Sequence, residues 1–239
     1  MDGFSYNNIF ETKGIEYLVV IAFLVLLIPF WLLLNKKVAF SGHFQKVLGI
    51  LTAKTLKIPQ GVLFCNNHTW AHLGMSGIAR VGLDDLLMHI TGEVKFSNLK
   101  NPGEKINKGD LLAEMDHHGK KLRIFSPVSG EITDTNPVLT ENPELLGEDP
   151  YGKGWMYQVK PSQWMAETKT YYLAEDATRW LGKELDRFRD FLSRSADHGS
   201  PESARLVLQD GGELRDHILP DLPAEVWRSF QQDFLNQPV

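Results

Sequence analysis

The residues whose chemistry could carry a function are eight histidines, a lysine pair at Lys120-Lys121 and a lone cysteine, Cys65. His117 and His118 are adjacent, and His68 and His72 stand four apart. Imidazole is a common metal ligand, so both spacings raise the question of a metal site. Neither spacing alone makes one, and no metal ligands are assigned. A single cysteine cannot form an internal disulfide, and no paired-cysteine motif is present to hold zinc or an iron–sulfur cluster. That favours a reducing compartment. No nucleophile stands beside a base, no glycine-rich phosphate loop occurs, and the acidic residues cluster in turns. The chain therefore reads as a non-enzyme with no catalytic residues and no identified small-molecule substrate.

The composition sets bounds on the partners. A chain of 239 residues that is 43% hydrophobic and 23% charged fits one or two globular domains. With 25 basic against 30 acidic residues, the formal charge of -5 offers no basic surface for a nucleic-acid backbone.

Near the N-terminus the run YLVVIAFLVLLIPFWLLL, Tyr17 to Leu34, carries no charge. At 1.5 Å per residue it would extend about 27 Å as a helix, close to a hydrocarbon core, and a lipid-embedded helix tolerates Pro29. The expectation is one transmembrane helix over 14–35, with the bilayer as a partner. The preceding segment is acidic and no small-residue cleavage site follows, so a cleaved signal peptide is not expected. Lys36, Lys37, Lys46, Lys54 and Lys57 follow the run. The positive-inside rule then gives a single-pass protein of the inner or plasma membrane, with its N-terminus outside and its soluble body in the cytoplasm.

Around that segment, residues 1–13 read as an extracytoplasmic tail and 36–57 as a basic linker or interfacial helix. From 58 to 166, short apolar runs broken by Gly, Pro, Asn and Asp predict a small β domain. From 167 to 239 the periodicity is helical. Ala174, Ala177, Leu181, Leu185, Phe188 and Leu192 recur every three or four residues. Ser200-Pro201 predicts an N-capped helix to about Leu208, ended by Gly211-Gly212. A last amphipathic helix follows Asp221 to Pro223, with Val226, Trp227, Phe230 and Phe234 on one face. Such faces serve either a partner or the chain's own domain.

Three stretches of the β segment carry a family resemblance. The first runs from His68-Thr69-Trp70 to the strand end Val81-Gly82-Leu83-Asp84-Asp85. The second is NPGEKINKGDLLAEM, with Ile106 where a valine is usual. The third, Ser126 to Lys160, contains Asn142-Pro143-Glu144-Leu145, Glu148-Asp149-Pro150-Tyr151-Gly152 and Gly154-Trp155. Together these resemble the glycine cleavage system H-protein. The resemblance implies a mainly β lipoyl/biotinyl-like barrel-sandwich domain, here preceded by the transmembrane helix and followed by an α-helical C-terminal region.

In that family, a lysine at a β-hairpin tip carries lipoic acid within Glu-Ser-Val-Lys-Ala, eight residues before the proline of Pro-Val-Ser-Gly. Counting back eight from Pro127, or forward ten from Gly109, reaches Gly119 by either route. The family's glutamate falls on Asp116, its Ser-Val on His117-His118 and its lysine on Gly119, which offers no attachment point. No cofactor is therefore expected. Lipoylation of the neighbouring Lys120 is the alternative, although strand alternation would turn that side chain sideways. The resemblance also places His68 and His72 on one strand, sharing a face but too far apart to chelate alone, while adjacent strand histidines point to opposite faces.

The expected function is a non-catalytic, H-protein-like docking or assembly subunit at the cytoplasmic face of a membrane complex, with that complex's other subunits as partners. A respiratory or other electron-transfer complex would suit such a subunit. A dithiol carrier modified at Lys120 and serving a membrane oxidoreductase is the second reading. An efflux or membrane-fusion adaptor is the third, and it fits poorly because adaptors split the lipoyl-like motif around long helices whereas this motif is continuous.

Overall fold

The computed structural model describes residues 17–29, 50–197 and 214–236. The chain divides into two compact units, Met1–Phe44 and Gln45–Val239. In the first unit, residues 17–29 form helix α1. These thirteen residues rise about 20 Å, well short of a hydrocarbon core of about 30 Å. Among the described residues no helix is long and apolar enough to cross a membrane. The transmembrane helix expected over 14–35 is therefore not seen. The apolar composition is present, but the described part of the run is helical over thirteen residues only. Residues 14–16 and 30–35, the tail 1–13 and residues 36–49 lie outside the described residues.

The second unit holds twelve strands among its described residues. Strand β1 (Ile50–Leu51) is followed by β2 (Leu63–Phe64), β3 (Thr69–Leu73) and β4 (Ala79–Leu83), and helix α2 (Asp85–Thr91) comes next. Then come β5 (Lys95–Asn98), β6 (Lys105–Ile106), β7 (Leu111–His117), β8 (Lys120–Phe125) and β9 (Gly130–Thr135). Two single-turn helices, α3 (Val138–Glu141) and α4 (Leu145–Glu148), precede β10 (Trp155–Pro161). They are followed by α5 (Trp164–Glu167), β11 (Tyr172–Leu173), the long helix α6 (Glu175–Asp197) and β12 (Leu214–Arg215).

Seven strands form an antiparallel sheet in the order β11-β2-β3-β4-β10-β9-β6, and three more form the sheet β5-β7-β8. Burial alternates along β8 and β9, as expected when one face of each strand covers a core and the other meets water. This is the lipoyl-like β-sandwich that the resemblance implies. Its His-x-Trp and Val-Gly motifs explain one another. Trp70 pairs with Gly82 across β3 and β4, and a Cβ on Gly82 would lie 2.6 Å from the indole ring. Only glycine leaves room for that buried tryptophan.

The end of the stretch read as a linker belongs to this unit. Strand β1 pairs with β12, and Leu51 and Leu56 are buried. Helix α6 buries Ala177, Leu181, Leu185, Phe188 and Leu192, the positions that carried the helical period, while Ala174 stands before the helix with φ 50°. The helix expected to about Leu208 and its Gly211-Gly212 terminator lie outside the described residues.

The C-terminal segment continues with a 3-10 turn (Leu219–Asp221), helix α7 (Ala224–Phe230) and a π-helical turn (Gln231–Leu235). Phe230 meets Phe188 edge-on at 5.8 Å, and Phe234 meets Phe191 at 5.5 Å. The apolar face of the last helix is thus spent on the chain's own domain. Such internal packing uses the face that was the candidate partner surface.

Candidate functional site at the carrier hairpin

Strands β7 and β8 are joined by two residues, His118 and Gly119, with His117 opposite Lys120. Both turn residues have positive φ, 51° and 85°, the backbone of a type I′ turn, which matches the right-handed twist of the strands it joins. Glycine suits the second position, and nothing lies within 4 Å of where a Cβ on Gly119 would be. The Asp116 carboxylate accepts from Gly119 N at 3.0 Å and steadies the turn. Gly119, the position that counting assigns to the family's lysine, therefore stands at the hairpin tip, in open space and with no side chain.

Neither neighbouring lysine extends freely. Lys120 Nζ donates to the carbonyls of Pro220 and Leu222, both at 2.8 Å, and lies 5.8 Å from the Trp227 ring centroid. Two of its three N–H groups are thereby used. Lys121 Nζ turns to Glu114 at 3.1 Å, an exposed pair of the kind that contributes little to stability.

The histidine pair behaves differently from the strand expectation. The rings of His117 and His118 meet edge-to-face at 4.7 Å rather than pointing apart, because His118 lies in the turn and its positive φ swings its side chain back. His117 Nδ1 donates to the Glu93 carbonyl at 2.8 Å, and its ring stacks on Trp227 at 6.0 Å. Gln231 completes the cover on this face. Its side-chain oxygen accepts from Arg123 N at 2.7 Å and its Nε2 donates to Arg123 O at 3.1 Å, satisfying both backbone groups of one residue on the outer edge of β8. An exposed edge strand invites pairing with other chains, and here the C-terminal segment takes that place.

His68 and His72 form no chelating pair. His68 precedes β3, takes φ 59° and is fully buried, whereas His72 lies within β3. His68 Nδ1 donates to Asp84 Oδ2 at 2.8 Å, and its Nε2 is 3.7 Å from Glu184 Oε2, an ionic contact longer than a hydrogen bond. Burial disfavours the imidazolium, but the Asp84 and Glu184 carboxylates override it and push the pKa up to about 9. Asp84 also caps α2 by accepting from Leu87 N at 2.8 Å. The family's histidine and aspartate motifs, sixteen residues apart, thus form one buried ion pair, and Glu184 joins it from α6. Cys65 is buried as well, and burial pushes its thiol up, away from the thiolate form needed for redox or nucleophilic chemistry.

Comparison with known proteins gives a consistent result. The family model described as glycine cleavage H-protein matches residues 62–184. A probable glycine cleavage system H protein of Thermococcus gammatolerans is 34% identical over 125 residues, covering 52% of this chain and 92% of that protein. The glycine cleavage system H protein of Bacteroides fragilis is 35% identical over 107 residues, covering 45% and 84%. Among solved structures, a glycine cleavage system H protein from Mycobacterium marinum matches with a TM-score of 0.46 and 25% identity, covering 52% and 99%. The family model spans just over half of the chain and the sequence identities extend over most of each relative, so the chain belongs to the glycine cleavage H-protein family.

Proposed function

We propose that this chain is an arm-less member of its family, serving as a docking or assembly subunit rather than as a lipoyl carrier. The observation behind this reading is the hairpin tip, where Gly119, which counting aligns with the family's attachment lysine, has no side chain and the adjacent Lys120 amine is tied to Pro220 and Leu222. A swinging arm needs an amine that projects into solvent, and neither residue offers one. Meanwhile the rest of the sandwich keeps its motifs and its buried ion pair. The family consists of carriers and not catalysts, and it works with the other proteins of the glycine cleavage system. A body of this kind retains surfaces for protein partners even without the arm.

Lys120→Arg distinguishes docking from carriage. Arginine keeps the charge and the donors that reach the two carbonyls, but it cannot form the acyl-lysine amide. When the tagged full chain is purified from its own host, the variant is expected to bring down the same proteins, in the same ratio, as the wild type. Loss of those proteins from the variant, with its fold intact by circular dichroism, would show that modification at Lys120 is what the partners recognise.

A further inference from the structure

The cluster that neither the hairpin nor the buried ion pair uses lies between helix α2 and the residues after β12. His89, Asp216 and His217 each present a ligand atom there, and the three atoms lie within 4.8 Å of one another. We propose that they form a binding site for one divalent transition cation of the zinc class, which fastens the C-terminal segment to α2.

The distances suit such an ion. Asp216 Oδ1 is 2.8 Å from His89 Nδ1 and 3.8 Å from His217 Nε2. Bonds of about 2.0–2.1 Å in a tetrahedron put neighbouring ligand atoms about 3.3 Å apart, and the observed separations bracket that value. The ligand atoms of His89 and His217 lie within 4.8 Å of each other, and rotation of the exposed His217 side chain would bring them to that spacing. The donor set of two imidazoles and one carboxylate fits zinc, cobalt or nickel better than calcium or magnesium, which favour all-oxygen sites. Three protein ligands leave a fourth position for water.

A second observation points to the same use. The other nitrogen of His89, Nε2, faces Asp85 Oδ2 at 3.5 Å. Asp85 is 1% exposed, its Oδ2 already accepts from Lys57 N at 2.8 Å, and its Oδ1 has no hydrogen-bond partner. A histidine bound to metal through one nitrogen commonly donates the other N–H to a carboxylate, which sets the tautomer and makes the ring a better ligand. Asp85 occupies that place. A doubly charged cation would also be neutralised by the Asp216 and Asp85 carboxylates together.

His217 is held ready by the backbone. Its N–H donates to the His89 carbonyl at 2.7 Å, and its ring lies over Gly92, where an added Cβ would come within 3.0 Å. Asp216 and His217 are followed by the turn that supplies the Pro220 carbonyl to Lys120. Metal at this point would therefore clamp the segment that covers the carrier hairpin. On binding, His89 Nδ1 gives up its proton to solvent and turns its lone pair to the ion.

The test is a zinc titration of the full chain, stripped beforehand with chelator and followed by calorimetry and thermal melting. Cobalt absorption reports the coordination geometry independently of stability. The expected result is one zinc per chain, a raised melting temperature and visible cobalt bands of a tetrahedral site. His217→Ala removes an exposed ligand and should abolish the cobalt bands, while Asp85→Asn should weaken zinc binding by about 10–100-fold. His118→Ala, in the unrelated histidine pair, should change nothing. The proposal is overturned if the wild type shows no saturable zinc binding, or if His217→Ala binds zinc as tightly as the wild type.

Discussion

His68→Gln is expected to destabilise the fold by roughly 3–5 kcal/mol, the usual cost of removing one partner from a buried ion pair. The imidazolium is fully buried, with Asp84 from the start of α2 on one nitrogen and Glu184 from α6 near the other. Arg187, one turn further along α6, donates to Glu184 at 2.9 Å and partly offsets its charge. Glutamine keeps a donor but not the positive charge, so Asp84 loses its counter-ion in the core. The same replacement should change how stability depends on pH. The His68 pKa is raised from 6.5 unfolded to about 9 folded, so its contribution is fully present below pH 6.5 and fades as pH rises through about 9. The difference amounts to about 3 kcal/mol. Burial also opposes the charge on His89, but Asp216 and Asp85 likewise push its pKa up to about 9, so the wild-type slope contains both histidines. Subtracting the His68→Gln curve from the wild-type curve, by urea unfolding between pH 6 and 10, isolates the His68 part. A difference that stays constant across that range would contradict a charged His68.

The second large effect is expected at Trp227. Its side chain is 1% exposed, its Nε1 donates to the Leu219 carbonyl at 2.8 Å, one ring face stacks on His117 and the Lys120 ammonium lies near the ring. Trp227→Ala should cost about 3–5 kcal/mol, as for other large-to-small core changes involving tryptophan. The loss should be concentrated in the C-terminal segment, because Trp227 joins that segment to the hairpin. Hydrogen exchange is expected to accelerate at Arg123 N, whose acceptor is Gln231, and Lys120 should become more reactive toward an amine-acylating reagent. If Lys120 were no more reactive in the variant than in the wild type, the tryptophan would not be what holds the cover in place.

How much of this was legible in the sequence depends on the range of the interactions. The β-sandwich was, since short apolar runs between Gly, Asn, Asp and Pro encode strands and turns locally, and the long signature from Ser126 to Lys160 named the family. Gly119 was placed by counting from Pro127 and Gly109, and it occupies the tip because a two-residue type I′ turn needs positive φ. The histidines were less legible. His68 has φ 59° and so leaves the strand that would have aligned it with His72, and its partner Glu184 is 116 residues away in sequence. His117 and His118 meet because the turn begins one residue earlier than alternation along β7 would suggest. His89 and Asp216 are brought together across 127 residues, a pairing that no local pattern carries. The C-terminal cover over Lys120 is likewise long-range, and it consumed an apolar face that a partner could equally have used. At the N-terminus, uncharged composition over Tyr17–Leu34 indicated a span, whereas the described helical residues are 17–29 and too few to make one.

The most direct measurement is the intact mass of the full chain purified from its own host, combined with peptide mapping across 111–125. We expect the unmodified mass, with Lys120 and Lys121 as free amines. A lipoyl increment on either lysine would contradict an arm-less carrier and would require the Pro220–Leu222 cover to open so that the arm could leave the surface.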